Sequence, residues 1–207
     1  MSERSFHSYR PSTGHGLAHD PLNAIVAPRP IGWIGTQSPT GIANLAPFSF
    51  FNLFSYRPPI IGFSCVGEKN SVVNARETGV FTWNLVSRAL AEAMNASSAE
   101  VSADIDEFAL AGLDKLPSIE IIAPRVAASP VQFECRVTQI VPLQTLAGTS
   151  SSSIMVFGEV VHIHIDPACI VDGAYRTVIP VPIARGGGRG DYFEIRDDTL
   201  FHMPRPG

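Results

Sequence analysis

Lys69, Asn70 and Ser71 stand directly before Val72-Val73-Asn74-Ala75-Arg76-Glu77-Thr78-Gly79, a run that predicts a short helix with Asn70 or Ser71 as cap and Gly79 as its left-handed stop. A lysine and a hydroxyl at a helix start, where free backbone N–H groups and the helix dipole favour negative charge, suit a phosphate. The same residues equally suit an exposed cap with a solvated lysine, and spacing alone does not separate the two. A second set, Asn44, Ser49 and Asn52, is interleaved with Leu45, Phe48, Phe50 and Phe51 in a stretch that carries no charged side chain between Arg29 and Arg57. Burial is expected there, so the polar groups need partners. The polar edge of a flat ring would supply them, as would the backbone of their own turns. A third set, Arg185-Gly186-Gly187-Gly188-Arg189-Gly190, lacks the Lys-Ser/Thr of a P-loop, and Asp191 stands where G-x-G-x-x-G needs its last glycine. It is a weak nucleotide motif and also fits a flexible surface loop.

His162, His164 and Asp166 fall on alternate positions of an expected strand and share one face, the simplest way to build a metal site from a strand. No Glu follows closely and only His202 lies downstream, so no metal is expected. A place on a barrel wall or at a subunit contact is expected instead. The sequence has no Gly-x-Ser-x-Gly elbow, no His-Glu-x-x-His and no evident pair of catalytic carboxylates, so hydrolysis has no visible machinery. Redox chemistry carried by a cofactor needs few diagnostic side chains.

The elements that must position these groups are mostly strands. Residues 1–21, with Pro11, Gly14, Gly16 and Pro21, read as a loosely ordered arm of the kind that packs on a partner subunit, and residues 22–207 as one domain. Apolar content predicts strands over Ile25–Thr36 and Ile60–Cys65, with Pro30 at a start, edge or bulge, and Ser38-Pro39-Thr40-Gly41 as a hairpin connection. Val80–Val86 reads as a strand, Ser87 as the cap of a helix through Ala96 with Leu90 and Met94 on one face, and Asp104–Ala111 as a helix ended by Gly112. Val131–Thr138 alternates apolar and polar residues, which places one face in the core, and the alternation slips at Gln139-Ile140, which predicts a bulge. Ser153–Ile165 reads as a long strand apolar on both faces. Strands outnumber the short helices, so the expected fold is mostly β, a barrel.

Composition narrows the function. At 207 residues and 45% hydrophobic the chain can bury one substantial core. A net charge of -4 and a pI near 5.8 argue against a general nucleic-acid surface. Cys65, Cys135 and Cys169 are odd in number without Cys-x-x-Cys spacing, and the charged N-terminus carries no apolar leader, so a reducing cytoplasm is expected, with each cysteine a small buried hydrophobe.

Ala-Pro-Arg-Pro-Ile-Gly-Trp-Ile-Gly-Thr (27–36), Gly-Ile-Ala-Asn-Leu-Ala-Pro-Phe-Ser-Phe-Phe-Asn (41–52) and Arg-Pro-Pro-Ile-Ile-Gly-Phe-Ser (57–64) resemble the flavin reductase-like, or flavoredoxin-like, family of FMN-binding split β-barrel proteins. Lys69-Asn70-Ser71, Asn84-Leu85-Val86, Phe157-Gly158-Glu159-Val160-Val161 and Arg185-Gly186-Gly187 with Tyr192 continue the likeness. The resemblance implies a split β-barrel with a few short peripheral helices, working as a homodimer with FMN between subunits. It implies that Lys69, Asn70 and Ser71 hold the phosphate, with Ser64 and Cys65 leading to it. Asn44, Ala46, Pro47, Ser49, Phe50, Phe51 and Asn52 would surround the isoalloxazine, flanked by Trp33, Gly35 and Thr36. Arg185 would lie near substrate. Some two-component relatives carry a His five positions ahead of the Gly in Gly-Glu-Val; here that place is Ser153, which the resemblance puts with Arg185 at the reacting end. The implied activity is electron transfer from NAD(P)H through FMN to a free flavin, a partner oxygenase or another small acceptor. An FMN-binding electron carrier without NAD(P)H turnover is the alternative, and a flavin-free or pyridoxamine-phosphate-oxidase-like barrel the third.

Overall fold

The computed structural model describes residues 4–188 and 190–206, so Met1–Glu3 of the expected arm and Arg189 of the glycine loop lie outside the described residues. A seven-stranded antiparallel sheet dominates. Its strands are β1 (Gly32–Gln37), β2 (Ala43–Phe48), β3 (Phe51–Tyr56), β4 (Pro59–Val66), β5 (Val80–Asn84), β6 (Val131–Gln144) and β7 (Ser150–Ile165), in the spatial order β2-β1-β5-β6-β7-β4-β3. The two edge strands, β2 and β3, are consecutive in sequence and separated only by Ser49 and Phe50. The sheet must therefore curl until its edges approach. Phe48 of β2 meets Phe63 of β4 at 4.9 Å between ring centroids, and Phe51 of β3 stacks on Trp83 of β5 at 5.6 Å. These contacts close the interior without pairing the two edge strands, which makes an open, split barrel.

Alternation in β1 serves two cores. Ile34 joins Ile61, Phe63, Phe81, Cys135 and Val156 inside the barrel, while Trp33 packs outward among Leu45, Leu90, Met94 and Phe108. Burial on both faces explains why this strand reads as nearly continuous apolar sequence. Helix α1 (Asn70–Thr78) closes one mouth of the barrel through Val72 and Ala75 and ends at Gly79, whose φ of 73° is the left-handed stop. Lys69, rather than Asn70 or Ser71, occupies the N-cap, and it makes no side-chain cap bond. Helix α2 (Ala91–Ala96) follows a 3-10 turn after Ser87 and buries Leu90 and Met94 on the outer core. Helix α3 (Glu107–Leu110) is capped by the Asp106 carboxylate, which accepts from the Phe108 and Ala109 N–H groups.

Two further expectations need correction. The strand expected from Ile25 is broken. Leu22–Ile25 is a helical turn and Arg29–Pro30 pairs apart from the main sheet with Ala184–Arg185, because Pro28 and Pro30 supply no ladder N–H. The polar residues of Val131–Thr138 divide, with Arg136 and Thr138 exposed. Gln132 and Glu134 are buried beneath the segment from Pro117 to Val126. The bulge falls at Thr138, one residue before the expected slip, where Val137 faces Gly158 and Gln139 faces Phe157.

Opposite that bulge, a Cβ on Gly158 would collide with the ring of Phe81, a fully buried core residue, and would stand 3.2 Å from the Arg136 carbonyl. Gly158→Ala is therefore expected to destabilise the chain by about 1–3 kcal/mol through overpacking. Urea titration of the variant against the native chain measures this.

Candidate flavin-binding groove

The site grows from the closeness of β2 to the start of α1. Asn44 of β2 pairs in register with Thr36 of β1, which aims both side chains at α1, where the Asn44 amide lies 2.9 Å from Ser71 Oγ and Asn74 donates to Thr36 Oγ1 at 3.2 Å. From this polar floor opens a cavity of about 250 Å³. Lys69, Asn70 and Ser71 stand at its α1 end, Ala46, Pro47 and Phe48 form an apolar wall, and Ser97–Val101 with Glu107 form the opposite side. Lys69 Nζ pairs with Glu100 at 3.3 Å, but both side chains are exposed, so the bond exchanges readily with water or an incoming anion. Ser71 is almost wholly buried, so its hydroxyl is fixed in direction by the groups around it.

A second, larger cavity of about 810 Å³ adjoins the first, sharing Pro47 and Ser98 with it. Ser49, Arg88, Arg185, Tyr192 and Glu194 line this end. The Arg185 guanidinium lies 4.8 Å from the Tyr192 ring centroid and donates to the Gly188 carbonyl at 3.3 Å. Arg88 Nε pairs with Glu194 Oε1 at 3.3 Å, tying the Tyr192–Glu194 strand to the turn before α2. Arg29, buried beside Phe50, donates to the Val26 and Gly186 carbonyls and so anchors the base of the glycine loop.

The structure thus brings Asn44, Ala46, Pro47, Ser49, Lys69, Asn70, Ser71 and Arg185 together on one continuous groove. Other expected residues lie elsewhere. Trp33 is fully enclosed in the outer core, its Nε1 donating to Ser97 Oγ at 2.9 Å, and it lines neither cavity. Gly35 is packed against Thr82 and the Pro124 carbonyl, and Thr36 is fully buried beneath Asn44 and Asn74. These three support the groove floor from behind instead of flanking a ring. Phe51 is engaged by Trp83, and Asn52 is exposed with its Oδ1 accepting from the Leu53 N–H at 2.8 Å. Phe50 is half exposed outside the groove. Cys65 is buried in the barrel core, where burial pushes its thiol above the ordinary range, and neighbouring Ser64 has its backbone N–H bonded to Phe50 O. Ser153 of β7 pairs with Val66 of β4 and lines neither cavity. Alternation accounts for Trp33, which faces the outer core while its neighbour Ile34 faces the barrel interior.

Sequence reading missed Glu107, Ser98, Arg88 and Glu194. The one available signal was for Glu107, an acidic residue directly after the helix cap Asp106 in an otherwise apolar turn. His164 does not stand free on its strand: its Nε2 lies 2.7 Å from Oε1 of the buried Glu134. Among the described residues no group of three or more His, Cys, Asp or Glu is arranged to hold a metal, and no helix is long and apolar enough to cross a membrane.

The flavin reductase like domain matches residues 26–178. An uncharacterized protein of Halalkalibacterium halodurans is 33% identical over 193 residues, which cover 89% of each chain. Among solved structures, 2-nitrobenzoate 2-nitroreductase of Pseudomonas fluorescens is similar with a TM-score of 0.75 and 28% identity, covering 88% of both chains. Nitrilotriacetate monooxygenase component B of Bacillus cereus shares the fold with a TM-score of 0.88 at 24% identity, covering 97% of this chain and 100% of that one.

Proposed function

Because this chain belongs to the flavin reductase-like family, we propose that it binds FMN along the groove and transfers electrons from NAD(P)H to a free flavin, a partner oxygenase or another small acceptor. The observation that supports this most is the continuity of a cationic helix start, an apolar wall and a second, wider cavity through the shared residues Pro47 and Ser98. A phosphate tail needs the first, a planar ring the second, and an approaching donor the third. Bound FMN would supply the hydride chemistry. Lys69, Ser71 and the first N–H groups of α1 would hold the phosphate. Ala46, Pro47 and Phe48 would exclude water from the ring, and Asn44 and Ser49 would offer polar contacts to it. Arg185, backed by Tyr192, would orient the anionic donor in the wider cavity.

A homodimer is part of the same proposal. Leu53, Phe54 and Tyr56 on edge strand β3 are each more than half exposed, and an apolar edge of this kind calls for cover. The electron-carrier reading has one observation in its favour: Ser153, the position where some two-component relatives carry a His, lines neither cavity. The test is anaerobic titration of the FMN-loaded protein. NADH or NADPH is expected to bleach the flavin band. Bleaching by dithionite alone would favour the carrier, and a protein that stays colourless with FMN would favour a flavin-free barrel.

A further inference from the structure

Glu107, Asn44 and Ser71 form an unbroken line of buried polar groups beside the smaller cavity, with fractional exposures of 4%, 4% and 1%. The Asn44 amide is the middle member. One of its two polar atoms lies 2.9 Å from Ser71 Oγ, 3.3 Å from Thr36 Oγ1 and 3.2 Å from the Leu45 nitrogen, and the other 3.2 Å from Glu107 Oε1. Glu107 Oε2 is occupied by the Leu45 N–H at 3.2 Å. A primary amide has a donor end and an acceptor end, and an ionised carboxylate only accepts. Two arrangements therefore satisfy the line. With Glu107 ionised, the amide nitrogen turns to the carboxylate and the amide oxygen takes the Ser71 hydroxyl proton, so Ser71 shows the cavity lone pairs alone. With Glu107 protonated, its O–H donates to the amide oxygen, the amide nitrogen donates to Ser71 Oγ and Thr36 Oγ1, and the Leu45 N–H is left to Glu107 Oε2 alone. The Ser71 hydroxyl proton is then free to point into the cavity.

We propose that Glu107 is a positioning residue for the anion end of the groove: a proton on its carboxyl, relayed by rotation of the Asn44 amide, decides whether Ser71 meets a ligand as donor or as acceptor. The inference rests on the reading of this cavity as a phosphate site. A phosphate dianion only accepts hydrogen bonds, so it selects the protonated arrangement, and binding takes up one proton at Glu107.

The charged groups around Glu107 fit this role. Burial, the largest influence, raises its carboxyl above the ordinary range; its own N–H and that of Leu45 lower it, and the adjacent Asp106 raises it again. Asp106 is itself paired with Lys115. From the other elements around the cavity, β2 brings no charged side chain, α1 brings Lys69 at its cap, and the segment after α2 brings Glu100, which is paired with Lys69. The proton would thus be shared chiefly between Glu107 and solvent, and an arriving anion would favour its retention.

Calorimetry of FMN and riboflavin binding in buffers of different ionisation enthalpy tests the inference at about pH 8, where the FMN phosphate is already dianionic. FMN is expected to bind with net proton uptake in the native chain, and riboflavin with none. Repeating the titrations at lower pH should show the preference for FMN over riboflavin falling as pH rises, by up to about tenfold per unit. Glu107→Gln, whose amide donates permanently to Asn44, is expected to lose the uptake and hold the preference flat above the phosphate's own titration. FMN binding without proton uptake in the native chain, or uptake that persists in Glu107→Gln, overturns the inference and leaves the groove assignment standing. Failure of FMN to bind at all overturns both. The native-chain titration decides the matter even where the variant does not fold.

Discussion

Replacing Lys69 and Ser71 together by alanine is expected to weaken FMN binding by at least about a hundredfold and to leave riboflavin binding within about threefold. The difference between the two ligands is the phosphate alone. Hydrogen bonds to a charged group contribute about 1.5–3 kcal/mol each, so the loss of two removes about 3–6 kcal/mol, which is more than two decades of affinity. Stability should change far less. Lys69 is exposed and its pairing with Glu100 is screened by solvent, while Ser71 gives up its bond with Asn44, a loss of about 1 kcal/mol. Fluorescence quenching titrations with both flavins, beside thermal melts, measure all of these quantities. Equal FMN affinity in the double variant would remove the phosphate from this helix start.

Glu134→Leu is expected to be the most damaging single change to the fold, costing about 3–5 kcal/mol and lowering the melting temperature by roughly 10 °C. The carboxylate has no solvent exposure and holds the Ile119 N–H at 2.9 Å, the Glu120 N–H at 2.7 Å and His164 Nε2 at 2.7 Å. It also neutralises the buried Arg125, whose other nitrogens reach Gln132 Oε1 and Pro117 O. Leucine leaves that guanidinium and two backbone donors unpaired, which is why the loss exceeds that of an ordinary core substitution. The pH dependence follows. Burial alone would raise this carboxyl, but the Ile119 N–H, His164 and the Glu120 N–H outweigh it and hold it below the ordinary range. A group depressed in the folded state contributes stability above its unfolded value and loses it as pH falls through its folded value. Acid melts of the native chain should therefore show a stability decline in the acidic range that is absent from Glu134→Leu. Parallel acid profiles for the two proteins would remove Glu134 from that role.

The helix start at Lys69–Ser71 was legible from sequence because its logic is local. A lysine and a serine at the start of a nine-residue helix ended by Gly79 need no distant partner to be recognised. Strand β1 was legible for a related reason: burial on both faces leaves an unbroken apolar run. Trp33, Gly35 and Thr36 show the limit of that reading. A run buried on both faces does not tell which face meets a ligand, and here Trp33 faces the helices while Thr36 faces α1. Val131–Thr138 shows the same limit on its other face. Alternation placed one face in the core but did not say what covers the other, where Gln132 and Glu134 lie under a segment that ends several residues before the strand and carries its own buried arginine.

Residue order alone determined a β-rich chain, the turn at Ser38–Gly41, the helix start at Lys69–Ser71 and the uncharged stretch between Arg29 and Arg57, since each is written in side-chain type and short-range spacing. Only the tertiary structure decided which of those residues share a groove. It set Glu107 against β2, bonding the Leu45 N–H at a sequence separation of 62, and brought Arg185 to the same surface as Pro47 and Ser49. The physical reason is that strand alternation leaves the ligand-facing side undetermined until the sheet curls and its two edges select an interior.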